Sequence, residues 1–561
     1  MGEKLNKLFI KANIKKENLY NDFLSLLLSV LIVCMTRVHF SGNVWHGNID
    51  ETYFDKFGLS AFILGTMLFF VFRFLLKFID IPLQNAIKKI AFYENNEKDK
   101  KKVICTWCII IFIAWLPYYL SYYPGGVYAD TFMSIEYIKM GVLTNRHPFL
   151  YTMVIGFFIN LGNLFGKDLT WSIGFFTAVQ MLVIECEFVY FVSWMLHHKI
   201  SHNLRIFISL FFVFFPLIPL YAVSVWKDTP FCMAVLFWMF FVVNLYFEIS
   251  NGIFNKKTFA GFGAGIFLTA FTRNNGIYIV SFVIFVLVTI IAKKSWLDKK
   301  LRYKIIINSV FMAIAIYLIQ GPGYKIAGIS HTDGVENFGI PLQQIAAVVA
   351  YDGVVTEEQK EFINNFIPYE KIKEIYTPTT VDNLKWNQEF NWNYLSMHKP
   401  ESIKLWLQLL KQNPTVYIKS YLMATLGFWN VDISDNSGAY VQNFVWNNGY
   451  NIVQTDYFNK WFGFSFQHFV NPRHYISCAW FFWIFFVTTW FVVKHYGLRS
   501  CFLFMPQMGI WFTLMIATPV ASSLRYIASN MFTLPFVIIV PLFLERNGIQ
   551  TAQNRENGQC R

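Results

Sequence analysis

The sequence predicts an all-α polytopic membrane protein of roughly 11–14 transmembrane helices, with one large extracytoplasmic domain of mixed helix and loop. Three observations predict this class. Of 561 residues, 55% are hydrophobic and only 14% charged, whereas a soluble domain carries about a quarter charged residues. Apolar runs recur through most of the chain at the length of about 20 residues that a helix needs to cross a hydrocarbon core. The basic residues gather in short loops beside those runs, the pattern of cytoplasmic loops. The formal charge of +13 therefore speaks for membrane orientation and not for a nucleic-acid partner.

In chain order the clear runs are 23–38, 59–78, 103–120, 205–223, 230–246, 259–271, 277–292, 305–319, 476–493, 501–516 and 526–543. The first follows a basic start (Lys4, Lys7, Lys11, Lys15, Lys16) with no small-residue cleavage site, which predicts an uncleaved span. With that start in the cytoplasm, 39–57 falls outside with Asp50, Glu51 and Asp55, 88–102 inside, and 121–147 outside. From the basic loop 197–205 inside, the alternation continues: 226–229, 273–275, 321–473 and 521–525 lie outside, and 255–257, 293–304, 494–499 and the tail inside. The stretch 149–196 resists, because it reads as two apolar segments separated by Gly166-Lys167-Asp168 yet must cross an odd number of times. A re-entrant or half-crossing helix before one full span meets that parity.

Five regions follow: an N-terminal membrane region (1–102), a transmembrane core (103–320), an extracytoplasmic domain (321–475), C-terminal spans (476–545) and a polar tail (546–561). Within the large domain, 402–410 and 415–428 have helical periodicity suited to a membrane surface. The eight cysteines lie mostly in apolar runs. Cys105 and Cys108 have CxxC spacing without a second pair, so they are expected to pack among spans rather than hold a metal or form disulfides.

Four polar clusters share the predicted outer side. Tyr122-Tyr-Pro-Gly-Gly-Val-Tyr-Ala-Asp130 is followed by Asn145-Arg-His147-Pro148. Asp130 suits a helix N-cap and equally a base, since its ordinary pKa near about 4 leaves it ionised at neutral pH. His147 suits a hydrogen-bonded interface residue as well as a site residue. Trp226-Lys227-Asp228-Thr229 offers a point charge for a phosphate and a carboxylate for a metal or for orienting the lysine; a snorkelling lysine beside a screened carboxylate is the plain alternative. Thr272-Arg273-Asn274-Asn275-Gly276 and Ser522-Ser523-Leu524-Arg525-Tyr526 each bring an arginine, a planar fork for phosphate oxygens or an interfacial helix anchor. Glu185, Glu187 and Glu248 lie in or near apolar segments, where carboxylates are functional candidates. No Walker loop, HExxH or dinucleotide glycine pattern occurs in a suitable context, so a cytosolic nucleotide-using mechanism has no support.

At these residues the chain resembles the GT-C superfamily of multispan glycosyltransferases, and more closely a poorly characterised bacterial branch of it. The resemblance is carried by Tyr123-Pro-Gly-Gly with Asp130, Asn145-Arg-His-Pro148, Trp226-Lys-Asp228, Arg273-Asn-Asn-Gly276 and Arg525-Tyr526. Ile340-Pro-Leu-Gln-Gln344 and Tyr376-Thr-Pro378 with Asp382 extend it into the large loop. It covers most of the chain from the third span onward; two further spans precede that one, where many relatives have none. The resemblance implies a GT-C-like core and a sugar donor carried on a polyprenyl phosphate. It also implies transfer outside the cytoplasm to a cell-envelope glycan, lipid or protein. Asp130 matches the catalytic acidic residue of the first external loop. Arg273, Arg525 and Lys227 match the basic residues that hold the lipid phosphate, and Asp228, His147, Tyr526 and Asn275 complete the expected substrate-binding set.

The expected reaction is attack of an acceptor hydroxyl on the anomeric carbon, with Asp130 as general base or orienting group and the arginines stabilising the departing phosphate. A divalent metal at Asp228 or Asp130 is the one cofactor to consider. A polysaccharide ligase or polymerase is the alternative enzyme. A transporter or flippase is the non-enzymatic alternative and predicts internal repeats and midplane charges, which the sequence does not display.

Overall fold

In a computed structural model of the chain, residues 2–40, 44–45, 47, 53–91, 99–292, 298–330, 338–433, 449–469 and 477–546 are described. Asp50, Glu51, the stretch 293–297, Arg473 and the tail beyond 546 lie outside the described residues. The chain is an all-α multi-pass membrane protein. Eight helices among the described residues are long and apolar enough to cross a bilayer.

In order, the first helices are α1 (Gly2–Met35), α2 (Leu59–Ala91), α3 (Lys100–Ser121), α4 (Ala129–Met140), α5 (Phe149–Leu164) and α6 (Leu169–His197). They are followed by α7 (His202–Phe214), α8 (Leu217–Ala222), α9 (Asp228–Ser250), α10 (Lys256–Thr272), α11 (Gly276–Ala292) and α12 (Lys299–Leu318). The remaining helices of crossing length are Cys478–Tyr496 and Leu498–Ala517. Fewer helices reach full crossing length than the roughly 11–14 expected from apolar runs. Proline explains part of the difference. The run 205–223 is not one continuous helix: Pro216 drives Phe215 into extended backbone (ψ 103°) and separates α7 from α8. The run 526–543 is divided likewise, since Pro535 lies between Ala528–Phe532 and Phe536–Arg546 and cannot continue a helix from the residues before it.

The stretch 149–196 forms α5 and α6, joined at the left-handed Gly166. The start of α5 follows His147, which contacts Lys227, and the start of α6 lies beside Tyr123. Both ends of α5 thus meet the one segment 123–130 and its neighbours. Of the two, α6 is long and apolar enough to cross a bilayer, while α5 is a shorter apolar helix.

Helix α9 lies at the centre of the membrane core, with Trp238 and Phe240 fully buried. Between helices in lipid, close backbone approach replaces the hydrophobic drive. Gly261 and Gly265 of α10 supply it: a Cβ on either would stand 2.2 Å from the Phe241 ring or 2.6 Å from the Trp238 ring of α9. By contrast α2 turns Phe62, Phe70, Phe74 and Phe78 outward, as a lipid-facing helix does. Within the N-terminal region Arg73 pairs with Asp22 of α1 at 2.7 Å, and Asp80 fixes that region to the C-terminal spans through Lys494 at 2.6 Å and His495 at 2.7 Å.

The segment 338–424 has its own apolar core, built from Gly339–Ala350, Lys399–Gln412 and Pro414–Ala424. The last two correspond to the periodic stretches read in the sequence. Gln343 and Gln344 act as internal fasteners here: Gln343 donates to the Thr377 carbonyl at 2.5 Å and Gln344 to that of Tyr417 at 3.2 Å. The segment meets the membrane core where Val381 N–H donates to the Pro519 carbonyl at 3.0 Å and Ala521 N–H to that of Thr379 at 2.7 Å. The Tyr376–Asp382 motif therefore braces the strip that carries Arg525. Among the described residues the cysteines are free. Cys105 and Cys108 are exposed along α3 rather than packed among other spans, although the Cys108 thiol still reaches Glu185 of α6 at 3.4 Å.

Candidate functional site

A two-residue parallel ladder assembles the site. β1 (Gly126–Val127) pairs with β2 (Ser224–Val225), in register Gly126 to Ser224 and Val127 to Val225. Gly125 makes this pairing possible. Its φ of +129° suits glycine, and a Cβ there would stand 2.5 Å from Thr177 Oγ1 and 2.9 Å from the Val223 carbonyl. The ladder is held from α6, where Gln180 donates to the carbonyls of Ala222 (2.8 Å) and Ser224 (2.9 Å). One residue beyond the ladder, the rings of Tyr128 and Trp226 stack with centroids 4.1 Å apart. Asp130 and Lys227 follow immediately.

Asp130 is not an N-cap. Tyr128 occupies that position, and Asp130 stands in the first turn of α4 with its carboxylate turned across the ladder. Oδ2 is 3.0 Å from the Lys227 ammonium, accepts the Trp226 indole N–H at 3.1 Å and lies 3.6 Å from Arg525. Oδ1 makes no hydrogen bond or ion pair among the described residues, and the side chain is 19% exposed. Burial pushes the carboxyl upward, but Lys227, Arg525 and the lysine hydrogen bond outweigh it and hold Asp130 well below the usual carboxylate range.

Lys227 also donates to Nδ1 of His147 at 3.1 Å. Because an ammonium only donates, the imidazole keeps its proton on Nε2, which is buried without a partner. Burial, reinforced by Lys227, lowers the His147 pKa to about 3, so the ring is neutral at physiological pH.

Arg525 is fixed by aromatic rings. Its guanidinium lies 4.9 Å from the Trp226 ring and 4.7 Å from that of Tyr526, and donates to the Tyr526 hydroxyl at 2.8 Å. Burial opposes its charge, but Tyr526 and Asp130 hold it firmly protonated. Arg273 also stands beside Tyr526, 5.1 Å from the same ring. Arg273 does not reach Asp130: it is 3.3 Å from Asp228 Oδ1, and that carboxylate is fully buried.

The structure thus brings Asp130, Lys227, His147, Arg525 and Tyr526 into one cluster, with Arg273 and Asp228 in a layer behind it. It does not bring Asn275 there. Its amide donates to Thr513 at 3.1 Å, tying α11 to the helix 498–517, while the adjacent Asn274 donates to the carbonyls of Asn145 and Arg146. Glu185 and Glu248 are engaged elsewhere, by Cys108 at 3.4 Å and Thr258 at 2.6 Å. Among the described residues no group of three or more His, Cys, Asp or Glu side chains stands together to hold a metal, and Asp130 and Asp228 face cations, so the pair does not fit a divalent ion. Sequence reasoning gave no role to Trp226 or Tyr128. Aromatic side chains near a bilayer read as girdle residues, and only the strand register reveals the stacked pair.

Residues 137–556 match a family described as a family of unknown function (DUF6020). The chain belongs to that family. The matched stretch contains His147, Lys227, Asp228, Arg273 and Arg525, while Asp130 and the Tyr123-Pro-Gly-Gly turn precede it. No curated protein and no solved structure matches the chain.

Proposed function

We propose that the chain is a membrane glycosyltransferase of GT-C-like architecture. It moves a sugar from a polyprenyl-phosphate donor to a cell-envelope acceptor on the extracytoplasmic side. One observation carries the reading: Asp130 has one oxygen held by a lysine, an arginine and an indole, and the other left free. A bare structural ion pair has no need of that asymmetry. A site that must present a carboxylate to a hydroxyl beside cations that meet a phosphate does.

In this mechanism the acceptor hydroxyl hydrogen-bonds to Oδ1 of Asp130 and attacks the anomeric carbon. The new carbon–oxygen bond forms as the bond to the phosphate oxygen breaks, and the configuration inverts. The hydroxyl proton passes toward Asp130, and the negative charge gained by the polyprenyl phosphate is met by Arg525 and Lys227. With both cations on Oδ2, Asp130 is a weak base. A donor phosphate that draws them away raises its basicity, so donor binding and base activation are one event. The proposed cluster works through charge and orientation, and needs no bound metal for any of these steps.

The test is release of free polyprenyl phosphate from polyprenyl-phosphate-linked hexoses and N-acetylhexosamines. Purified protein is mixed with membranes from cells that lack the chain. The parent should release the carrier from at least one donor, and Asp130→Asn should slow release by roughly 10²–10⁴-fold at matched thermal stability. No release from any donor by the parent, or near-parental release by the variant, overturns the reading.

A further inference from the structure

A cavity of about 550 Å³ opens beside the loop that leads to Asp130. Its walls include Tyr123, Lys167, Asp168, Trp171, Thr455 and Tyr457, and its volume lies in the range of small-molecule sites. The walls are held in place from several elements. Thr455 N–H donates to the Tyr123 carbonyl at 2.8 Å, Val453 N–H to Thr170 Oγ1 at 3.1 Å, and Asp168 Oδ1 accepts the Trp171 N–H at 2.8 Å. The rings of Tyr123 and Tyr457 meet edge to face at 5.1 Å, while Trp171 stacks on Phe175 at 5.2 Å. The Lys167 ammonium is exposed and makes no hydrogen bond or ion pair among the described residues, while the Lys167 backbone N–H donates to the Gly162 carbonyl at 2.9 Å.

We propose that this cavity is a saccharide-binding subsite that seats the acceptor glycan. The acceptor role rests on the transferase reading, whereas saccharide binding does not. Pyranose rings present C–H faces that pack on Trp and Tyr rings and hydroxyls at their rims that need polar partners. Three aromatic side chains beside a carboxylate, a threonine hydroxyl and a free ammonium supply both. Tyr123 belongs to this wall and also to the turn that enters β1, so a glycan seated here lies one short loop away from Asp130. Interfacial aromatic anchors alone would not require a cavity, nor an unpaired lysine within it.

The test titrates the full-length protein in lipid nanodiscs, without donor, with maltotriose, chitotriose and trigalacturonate by saturation-transfer NMR. At least one should bind saturably. Trp171→Ala and, separately, Tyr457→Ala should weaken binding at least tenfold, Trp171→Phe should restore most of it, and Lys167→Ala should weaken trigalacturonate more than maltotriose. Absence of saturable binding by all three probes, or equal binding in Trp171→Ala and Tyr457→Ala, overturns the subsite and leaves the rings as membrane anchors. Binding that depends on Trp171 in a protein that never transfers sugar retains the subsite and rejects the transferase. Transfer with an acceptor KM unmoved by Trp171→Ala retains the transferase and rejects the acceptor role.

Discussion

Arg273 faces the fully buried Asp228 at 3.3 Å, while Arg525, beside the same Tyr526 ring, faces Asp130 at 3.6 Å. The two arginines therefore face different carboxylates. Arg273 compensates a carboxylate with no exposure to solvent, and Arg525 borders the open site.

Removing one partner of a buried pair leaves an uncompensated charge, at a cost of about 3–5 kcal/mol. Arg273→Ala should accordingly lower the thermal midpoint in detergent far more than Arg525→Ala, and the double variant Asp228→Asn with Arg273→Met should recover much of the loss. Equal midpoints for the two alanine variants, combined with weaker donor binding by Arg273→Ala, would make Arg273 a phosphate ligand after all.

At Arg525 the prediction concerns shape as well as charge. Lysine lacks the planar fork and packs poorly between the Trp226 and Tyr526 rings. Arg525→Lys should weaken polyprenyl-phosphate binding by roughly 10–100-fold, the worth of a lost charge-assisted hydrogen bond, and Arg525→Ala by at least as much. Isothermal titration with a short-chain polyprenyl phosphate measures both, and parental affinity in the lysine variant would show that only the charge matters.

Acid should unsettle the site through His147 before Asp130. The folded pKa of His147, about 3, lies below its ordinary 6.5, so the stability it confers is complete above 6.5 and is lost as pH falls from there toward 3. Asp130 is depressed from 3.8, and its contribution survives until the pH nears that value. Between pH 6.5 and about 4, stability should fall with a slope of up to about 1.4 kcal/mol per pH unit from this one proton. His147→Asn should flatten that slope in urea or thermal unfolding across the window. An unchanged slope in the variant assigns the acid loss to another group.

Sidedness is open to direct labelling. On a cysteine-free background, Lys139→Cys and Lys167→Cys should react with an impermeant maleimide in intact cells, and Lys199→Cys only after permeabilisation. The reverse pattern would put the Asp130 cluster on the cytoplasmic side and remove the proposed acceptor from reach.

The membrane class, the long helices and the meeting of Asp130 with Lys227 and Arg525 were legible in the sequence. Each rests on a strong local signal: apolar length, or a charged side chain at the end of such a run. The breaks inside two apolar runs were not legible in apolar counting, which ignores what Pro216 and Pro535 do to the residues before them. Asn275 was grouped with Arg273 by adjacency, but a tight turn sends neighbouring side chains to different helices. The different depths of Arg273 and Arg525 had no local signal at all, since they depend on which carboxylate each meets, Asp228 or Asp130, across long stretches of intervening chain.

The β1 and β2 pairing has an evolutionary consequence. Four backbone positions act as a ruler: Val127 opposite Val225 sets how far Asp130 and Lys227 project from a shared origin. A one-residue insertion between Val127 and Asp130, or between Val225 and Lys227, would rotate one charge away from the other while leaving every residue type intact. Along this lineage, deletions and insertions should be excluded from both short spacers, even where the side chains within them drift.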